Sequence, residues 1–344
     1  MKILVTGGAG YVGGTVAALL LEKGHSVTIV DNLCHATRDF LPPAAEFIDC
    51  DIADRPRIEG LFRSAAAAGT PFDGVLHFAA LIEAGESMKH PEVYFRNNTA
   101  SSLALLESVL ACGPKRLVFS STAAVYGEPE TVPIPETAAL HPSNAYGESK
   151  LLVEYMLGWF HKIHGLRSAS LRYFNVAGAP ETGGKGSGHI VSGEAHEPES
   201  HLIPLILDVA LGRRPAIKIF GDDYPTHDGT CVRDYVHVSD LADAHLLALQ
   251  ALETPEAAKA RLIYNLGNGA GFTVKEVIDS VRRVTGHPIP VELQPRRPGD
   301  PAFLIAGSEK AIAELHWQPK YPAIDDIIRT AWIWHQKRYR KSAS

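Results

Sequence analysis

Cysteine is scarce in this chain: four in 344 residues, at positions 34, 50, 112 and 231, with no CxxC pair among them. That spacing supports neither a zinc-binding pair nor a disulfide framework, and it fits a reducing compartment, so a cytoplasmic location is expected. Long apolar runs are missing as well. No stretch approaches the roughly 20 residues that a membrane-spanning helix requires, so no membrane partner is expected. The opening MKILVTGGAG reads as a strand stopped by glycine, not as a signal peptide. Nor is there a surplus of positive charge. The 33 Lys and Arg against 39 Asp and Glu leave a formal charge of −6, which offers no field to hold nucleic acid. The basic end KRYRK, 337–341, accordingly reads as a solvated terminus.

What the chain does have is apolar content, 45% of its residues, enough for one large α/β domain and a smaller partner. The run ILVT at 3–6 stops at GGAGYVGG, and helical spacing follows up to Gly24, giving a strand, a glycine turn and a helix. Gly7, Gly10 and Gly13 satisfy GxxGxxG, and Gly8, Gly10 and Gly13 satisfy GxGxxG. Either pattern bares the backbone where a helix N-terminus can meet a pyrophosphate. The confirming context is a second strand ending in an acid, which HSVTIVDNL supplies with Asp31. A carboxylate there accepts hydrogen bonds from a ribose diol and repels a 2′-phosphate, favouring NAD over NADP. The alternative for Asp31 is a helix cap or turn residue.

Strand-like runs recur at AEFIDCDI, FDGVLHFAA, KRLVFSS and RSASLRYFN with helical segments between them. This alternation predicts an α/β fold: a doubly wound, Rossmann-type parallel sheet with a smaller α/β C-terminal domain. Residues 1–176 form the expected nucleotide-binding part, with returns near 231–266, and 177–344 the interleaved second part. Ligands bind beyond the carboxyl ends of such strands, which gathers HFAA, SSTAAVYG and RYFN at one rim. In NAYGESK, residues 144–150, Tyr146 and Lys150 stand four apart on one helix face. Taken alone, that pair fits either chemistry or packing. The stretch Gly183–Ser200, rich in Gly, Ser, Glu and His, reads as a mobile loop over the cleft. His189, His196 and His201 have a spacing that fits no compact ligand set, so no metal is expected.

TGGAGYVG, the DNL after the second strand, HFAA, FSSTAAVYG and YGESK, in this order, resemble the extended short-chain dehydrogenase/reductase family. The later run IFGDDYPTHDGTCVRDYVHVSDLADAH, followed by YNLGNG and RRPGD, is similar to the UDP-glucose 4-epimerase branch, so the resemblance covers nearly the whole chain. It implies bound NAD and a redox-neutral inversion at C4 of a UDP-hexose through a transient 4-keto sugar. Tyr146 is the implied acid/base, Thr122 the hydroxyl sharing the 4-OH proton, and Lys150 the cation that lowers the tyrosine pKa. A free phenol titrates near ~10, so that task amounts to roughly 3 units, or about 4 kcal/mol.

The resemblance also places Gly7, Gly10, Tyr11, Val12 and Gly13 along the cofactor pyrophosphate. Asp31 and Asn32 go to the adenosine ribose, and Asp51 and Ile52 to the adenine edge. Phe78, Ala79, Asn97 and Tyr173 complete the pocket, although Phe78 and Ala79 fit strand core equally well. On the substrate side it implies Thr122, Tyr146, Asn175, His201, Leu202, Lys218, Phe220, Arg233, Arg297 and Asp300. Arg233 alternatively forms a structural pair with its neighbour Asp234, and Arg296 competes for the role of Arg297. Leu304 aligns with a gate for N-acetyl sugars and leaves substrate breadth open, so another UDP-sugar 4-epimerase stands as an alternative, as does an NAD(P)-dependent reductase. The implied assembly is a homodimer through helices around 90–110 and 150–160.

Four positions distinguish this chain within the family pattern. Ile82 replaces a lysine near the cofactor, Thr122 replaces a serine, and Ala123 and Ala124 stand where the dehydratases carry an Asp-Glu pair. A methyl group cannot move a proton, so elimination of water is disfavoured.

Overall fold

The computed structural model describes residues 1–38, 41–297 and 300–340, so Pro298 and Gly299 of RRPGD and Lys341 of KRYRK lie outside the described residues. The first elements are β1 (Lys2–Thr6), α1 (Tyr11–Glu22), β2 (Ser26–Asp31), β3 (Glu46–Asp49), α2 (Arg55–Ala67) and β4 (Gly74–His77). Two single turns, α3 (Ala84–Ser87) and α4 (Pro91–Tyr94), precede α5 (Ser101–Cys112), β5 (Arg116–Thr122), α6 (Ala145–His164) and β6 (Arg167–Tyr173). Then come β7 (Asn175–Ala177), α7 (Leu202–Ala210), β8 (Ile217–Phe220), β9 (Val232–Arg233), β10 (Tyr235–His237) and α8 (Val238–Ala251). The chain closes with β11 (Leu262–Leu266), β12 (Phe272–Thr273), α9 (Val274–Thr285), β13 (Val291–Gln294), β14 (Phe303–Leu304), α10 (Glu309–Leu315) and α11 (Ile324–Arg340).

Seven strands pair in parallel in the order β11-β6-β5-β4-β1-β2-β3. Strands β1 and β4 are aliphatic and almost wholly buried, because helices cover both faces of the sheet. On one face Val16, Ala17 and Leu20 of α1 pack with Leu241, Ala244 and Leu249 of α8. On the other, Phe62 of α2, Leu105 of α5 and Leu157 of α6 share a core with Leu4 and Leu117. The winding direction reverses between β1 and β4, which pair with each other, and there the crevice opens beyond the strand ends. A separate core joins Ile203 and Ile206 of α7, Ile219 of β8, Val277 and Val281 of α9, and Ile327 and Ile328 of α11.

Local signals explain why the central helix starts where it does. Asn144 caps α6 by accepting from Gly147 N at 2.8 Å, and Gly165 ends it with φ of +67°. The cap sets Tyr146 within the first turn.

The basic end departs from the sequence reading. Lys337 donates to the Ile190 carbonyl at 2.9 Å, and Arg338 donates to the Ala195 carbonyl at 3.1 Å and the Glu197 carboxylate at 2.8 Å. These side chains tie the loop between β7 and α7 to α11. The same contacts, with the Trp334 indole donating to the Glu194 carbonyl at 2.7 Å, anchor a stretch that its composition marks as a mobile loop.

Candidate active site

The glycine turn after β1 is shaped by contacts that no side chain could enter. Gly7 has φ of +72°, and a Cβ on Gly13 would sit 2.3 Å from the Gly7 carbonyl oxygen. Gly10 precedes α1 without any side-chain cap, and the first turn carries no acid, so its backbone N–H groups are free to face an anion. A dinucleotide pyrophosphate fits this cradle. Asp31, at the end of β2, accepts from Ala9 N at 3.1 Å and Leu33 N at 2.8 Å. The carboxylate thus serves the turn, and of its roughly four acceptor positions it uses two, leaving others open toward the cleft. Asn32 donates to Asp51 at 3.0 Å, next to the buried Ile52.

Gly7, Gly10, Tyr11, Val12, Gly13, Asp31, Asn32, Asp51, Ile52, Phe78, Ala79, Asn97 and Tyr173 all line one cleft, together with Thr122, Tyr146, Lys150, Asn175 and His201. Phe78 and Ala79 also pack on the sheet cores, so strand core and pocket wall are both correct for them. Tyr11 donates to the Gly178 carbonyl at 2.6 Å, joining α1 to the chain beyond β7. Ile82 lines the same cleft, where the resemblance leads one to look for a lysine.

Tyr146 and Lys150 face the cleft from the first turns of α6, and Thr122 meets them from the end of β5. Burial pushes the Tyr146 phenol above its ordinary pKa, Tyr173 adds to the rise, and a hydrogen bond with the Thr122 hydroxyl opposes it. Thr122 Oγ1 also accepts from Ala124 N at 3.1 Å, which fixes the turn carrying Ala123 and Ala124. Gly147 packs on that turn so closely that a Cβ would lie 2.6 Å from the Ala124 carbonyl oxygen. Lys150 is 2% exposed, and burial lowers it to about 7. Its Nζ donates to the Ser120 carbonyl at 2.9 Å and lies 4.9 Å from the centre of the Phe119 ring. Tyr173, raised to about 12 by burial, shares a short hydrogen bond with Ser120 Oγ.

Several residues that hold this geometry carry no sequence motif. Glu154 lies eight positions after Tyr146 on α6 and accepts from Ser121 Oγ at 2.6 Å, beside Thr122. Arg172 of β6 donates to Glu154 at 2.9 and 2.6 Å and to the Tyr126 hydroxyl at 2.9 Å, and Tyr126 in turn donates to Asn265 at 2.7 Å. Asn98 donates to Ser149 Oγ at 3.1 Å and accepts from Leu81 N at 2.8 Å, joining α6 to the β4 loop. The one signal available in the sequence is a Glu at the i+8 position of the Tyr146 face.

The rest of the substrate set lies outside the described walls of the cleft. The Arg297 guanidinium stacks on Phe220 at 3.9 Å, whereas Arg296 stacks on Tyr224 at 4.1 Å and pairs with Asp223 at 2.5 Å. The two arginines thus take different partners. Arg233 pairs with Asp300, so the pairing with neighbouring Asp234 does not form. Asp234 is instead buried and accepts from Asn268, Gly269 and Ala306 N at 2.8, 3.0 and 3.0 Å. Leu304 of β14 stands in register with Arg233 of β9. Lys218 is exposed on the face of β8 that also carries Phe220, and Leu202 opens α7 against the second core.

The histidines also differ from the sequence reading. His196 and His201 come together with Glu194 within 4.8 Å, because the loop folds back on itself, while His189 stays outside the group. A third ligand-type residue absent from the histidine set completes the cluster.

The family model for the NAD dependent epimerase/dehydratase family matches residues 3–267. A UDP-glucose 4-epimerase of Streptomyces lividans is 51% identical over 334 residues, covering 97% of this chain and 96% of that protein. The fold matches a crystal structure of a UDP-glucose 4-epimerase with a TM-score of 0.91 and 46% identity, covering 98% of both chains. It matches equally, at 0.91 and 41% identity over 99% of both chains, a UDP-glucose 4-epimerase from Stenotrophomonas maltophila with bound NAD and formylated UDP-arabinopyranose. The uncapped glycine turn, the acid closing β2 and the Tyr146–Lys150 face agree with this likeness along the full chain, and the chain belongs to the NAD dependent epimerase/dehydratase family.

Proposed function

We propose that this chain interconverts UDP-galactose and UDP-glucose by inversion at C4, using NAD that stays bound through the cycle. The observation that carries the reading is the meeting of Tyr146, Lys150 and Thr122 at the mouth of the NAD cradle, with Ala123 and Ala124 beside them. NAD, when bound against Gly7–Gly13 and Asp31, supplies the hydride acceptor and a positive nicotinamide ring.

Tyr146 takes the proton of the 4-hydroxyl at its phenol oxygen and later returns it. Thr122 Oγ1 holds that proton's path by hydrogen bonding to the phenol. Lys150, near 7, sits where a modest change in field moves it between ammonium and amine, the range useful for acid–base work at neutral pH. Because burial raises Tyr146, positive charge must stand close to it in the working state, and Lys150 and the cofactor ring are its two sources. The alanines put no acid or base beside the sugar, which favours return of the proton over loss of water.

On the substrate side, Asn175 and His201 face the cleft; Leu202, Lys218, Phe220, Arg233, Arg297 and Asp300 are assigned to the UDP portion, and Leu304, in register with Arg233, to the gate for N-acetyl sugars. Residues 1–176 with the returns at 231–266 act as the nucleotide unit and 177–344 as the sugar-nucleotide unit. A second copy of the chain covers α5 and α6, where Leu103, Leu110, Tyr155, Trp159 and Ile163 are exposed. Four unpaired cysteines fit a cytoplasmic enzyme.

The test is to denature purified protein, quantify released NAD, and assay UDP-galactose conversion without added cofactor. Roughly stoichiometric NAD with cofactor-independent turnover is expected. No bound NAD together with a strict need for added NADPH would overturn the reading in favour of a reductase.

A further inference from the structure

The loop between β7 and α7 forms one wall of the cleft and carries a cluster that the proton chemistry does not use. Ligand atoms of Glu194, His196 and His201 lie within 4.8 Å of one another. His196 Nδ1 lies against the Glu194 carboxylate and is shut off from solvent, yet it makes no aligned hydrogen bond. Once the imidazole gives up its proton, the two atoms face each other with lone pairs, an arrangement that a shared cation satisfies in the proton's place. His201 turns Nδ1 to Glu199 at 2.8 Å, which leaves Nε2 as its ligand atom. A carboxylate on the far nitrogen is the arrangement that orients metal-bound imidazoles.

The cluster is also held in place. Glu194 accepts from Ala195 N at 2.9 Å and His196 N at 3.1 Å, Glu199 accepts from His201 N at 2.7 Å, and Trp334 and Arg338 grip the intervening backbone. Among the described residues lining this cleft, Lys150 is the one Lys or Arg, against Asp31, Asp51 and Glu194. A cation at the loop would offset that acidity.

We propose that Glu194, His196 and His201 bind one divalent transition-metal ion of the zinc class, which clasps the loop and presents an open coordination position to the cleft. Two imidazoles and one carboxylate select such an ion over calcium or magnesium, which take oxygen ligands, and no cysteine belongs to the cluster to select a softer one. His201 also belongs to the substrate side of the epimerase reading, but the metal binding tested below does not depend on that reading.

The experiment is cobalt(II) titration of full-length, chelator-treated protein, read by visible d–d absorption and by metal analysis after dialysis. About one equivalent is expected, with the intense band of a low-coordinate site. His196→Ala should lose more than about 100-fold in cobalt affinity and Glu199→Gln about 10- to 100-fold, while His189→Ala, outside the cluster, binds as the unaltered protein does. Absence of a bound equivalent in the unaltered protein would overturn the proposal. Equal affinity in Glu199→Gln, which keeps the loop's size and shape, would do the same even if His196→Ala failed to fold.

Discussion

Glu154 and Arg172, 18 residues apart, form a two-point ion pair inside the protein at 2.9 and 2.6 Å, with both side chains 2% exposed. The pair spans α6 and β6, and Ser121 of β5 completes it. It therefore sets the register between the helix bearing Tyr146 and Lys150 and the strand bearing Thr122.

Removing one charge leaves the other buried without compensation. Glu154→Gln is expected to lower the unfolding free energy by about 3–5 kcal/mol. Urea unfolding of the two proteins measures this, and a loss under about 1 kcal/mol would mean the pair is not closed in solution.

The proton path rests on two hydroxyls. Tyr146→Phe should lower kcat by at least about 100-fold with bound NAD and the far-ultraviolet circular dichroism unchanged. Thr122→Ser keeps the oxygen and should stay within the same order of magnitude as the unaltered enzyme, whereas Thr122→Ala loses both the phenol contact and the cap on Ala124 N. Steady-state turnover of UDP-galactose ranks the variants; Thr122→Ala matching Thr122→Ser would remove the hydroxyl from the path.

Burial lowers Lys150 to about 7, below the roughly 10.4 of a free lysine. Between those values the unfolded chain binds more protons than the native one, so this residue makes unfolding free energy rise with pH. Its cost to the fold is fully present below about pH 7 and is relieved above it. The stability of the unaltered protein minus that of Lys150→Met should therefore grow between about pH 7 and about pH 9, measured by urea midpoints. A flat difference would show that Lys150 is solvated.

Trp159 and Tyr155 are 62% and 50% exposed on α6, four positions apart and followed by Ile163 at 63%. The proposed second copy of the chain would cover this apolar stripe. Trp159→Glu should convert a dimer into a monomer by light scattering on a sizing column. A monomer before the substitution would refute the assembly.

Much of this architecture was open to inspection in the residue order. The ILVT–glycine–helix run, Asp31 at the end of the second strand and the four-residue spacing of Tyr146 and Lys150 are local features, governed by backbone conformation and helical periodicity within a few residues. The chain by itself thus determined the doubly wound sheet, the dinucleotide cradle and the face that carries the tyrosine and lysine. Tertiary structure alone decided partners. It joined Arg233 to Asp300 and not to Asp234, set Arg297 on Phe220 and Arg296 on Tyr224, fastened the basic end of α11 to the 190–197 loop, and drew Glu194 to His196 and His201. Charged side chains have many candidate mates along a chain, and only burial, which makes an unpaired charge expensive, selects among them.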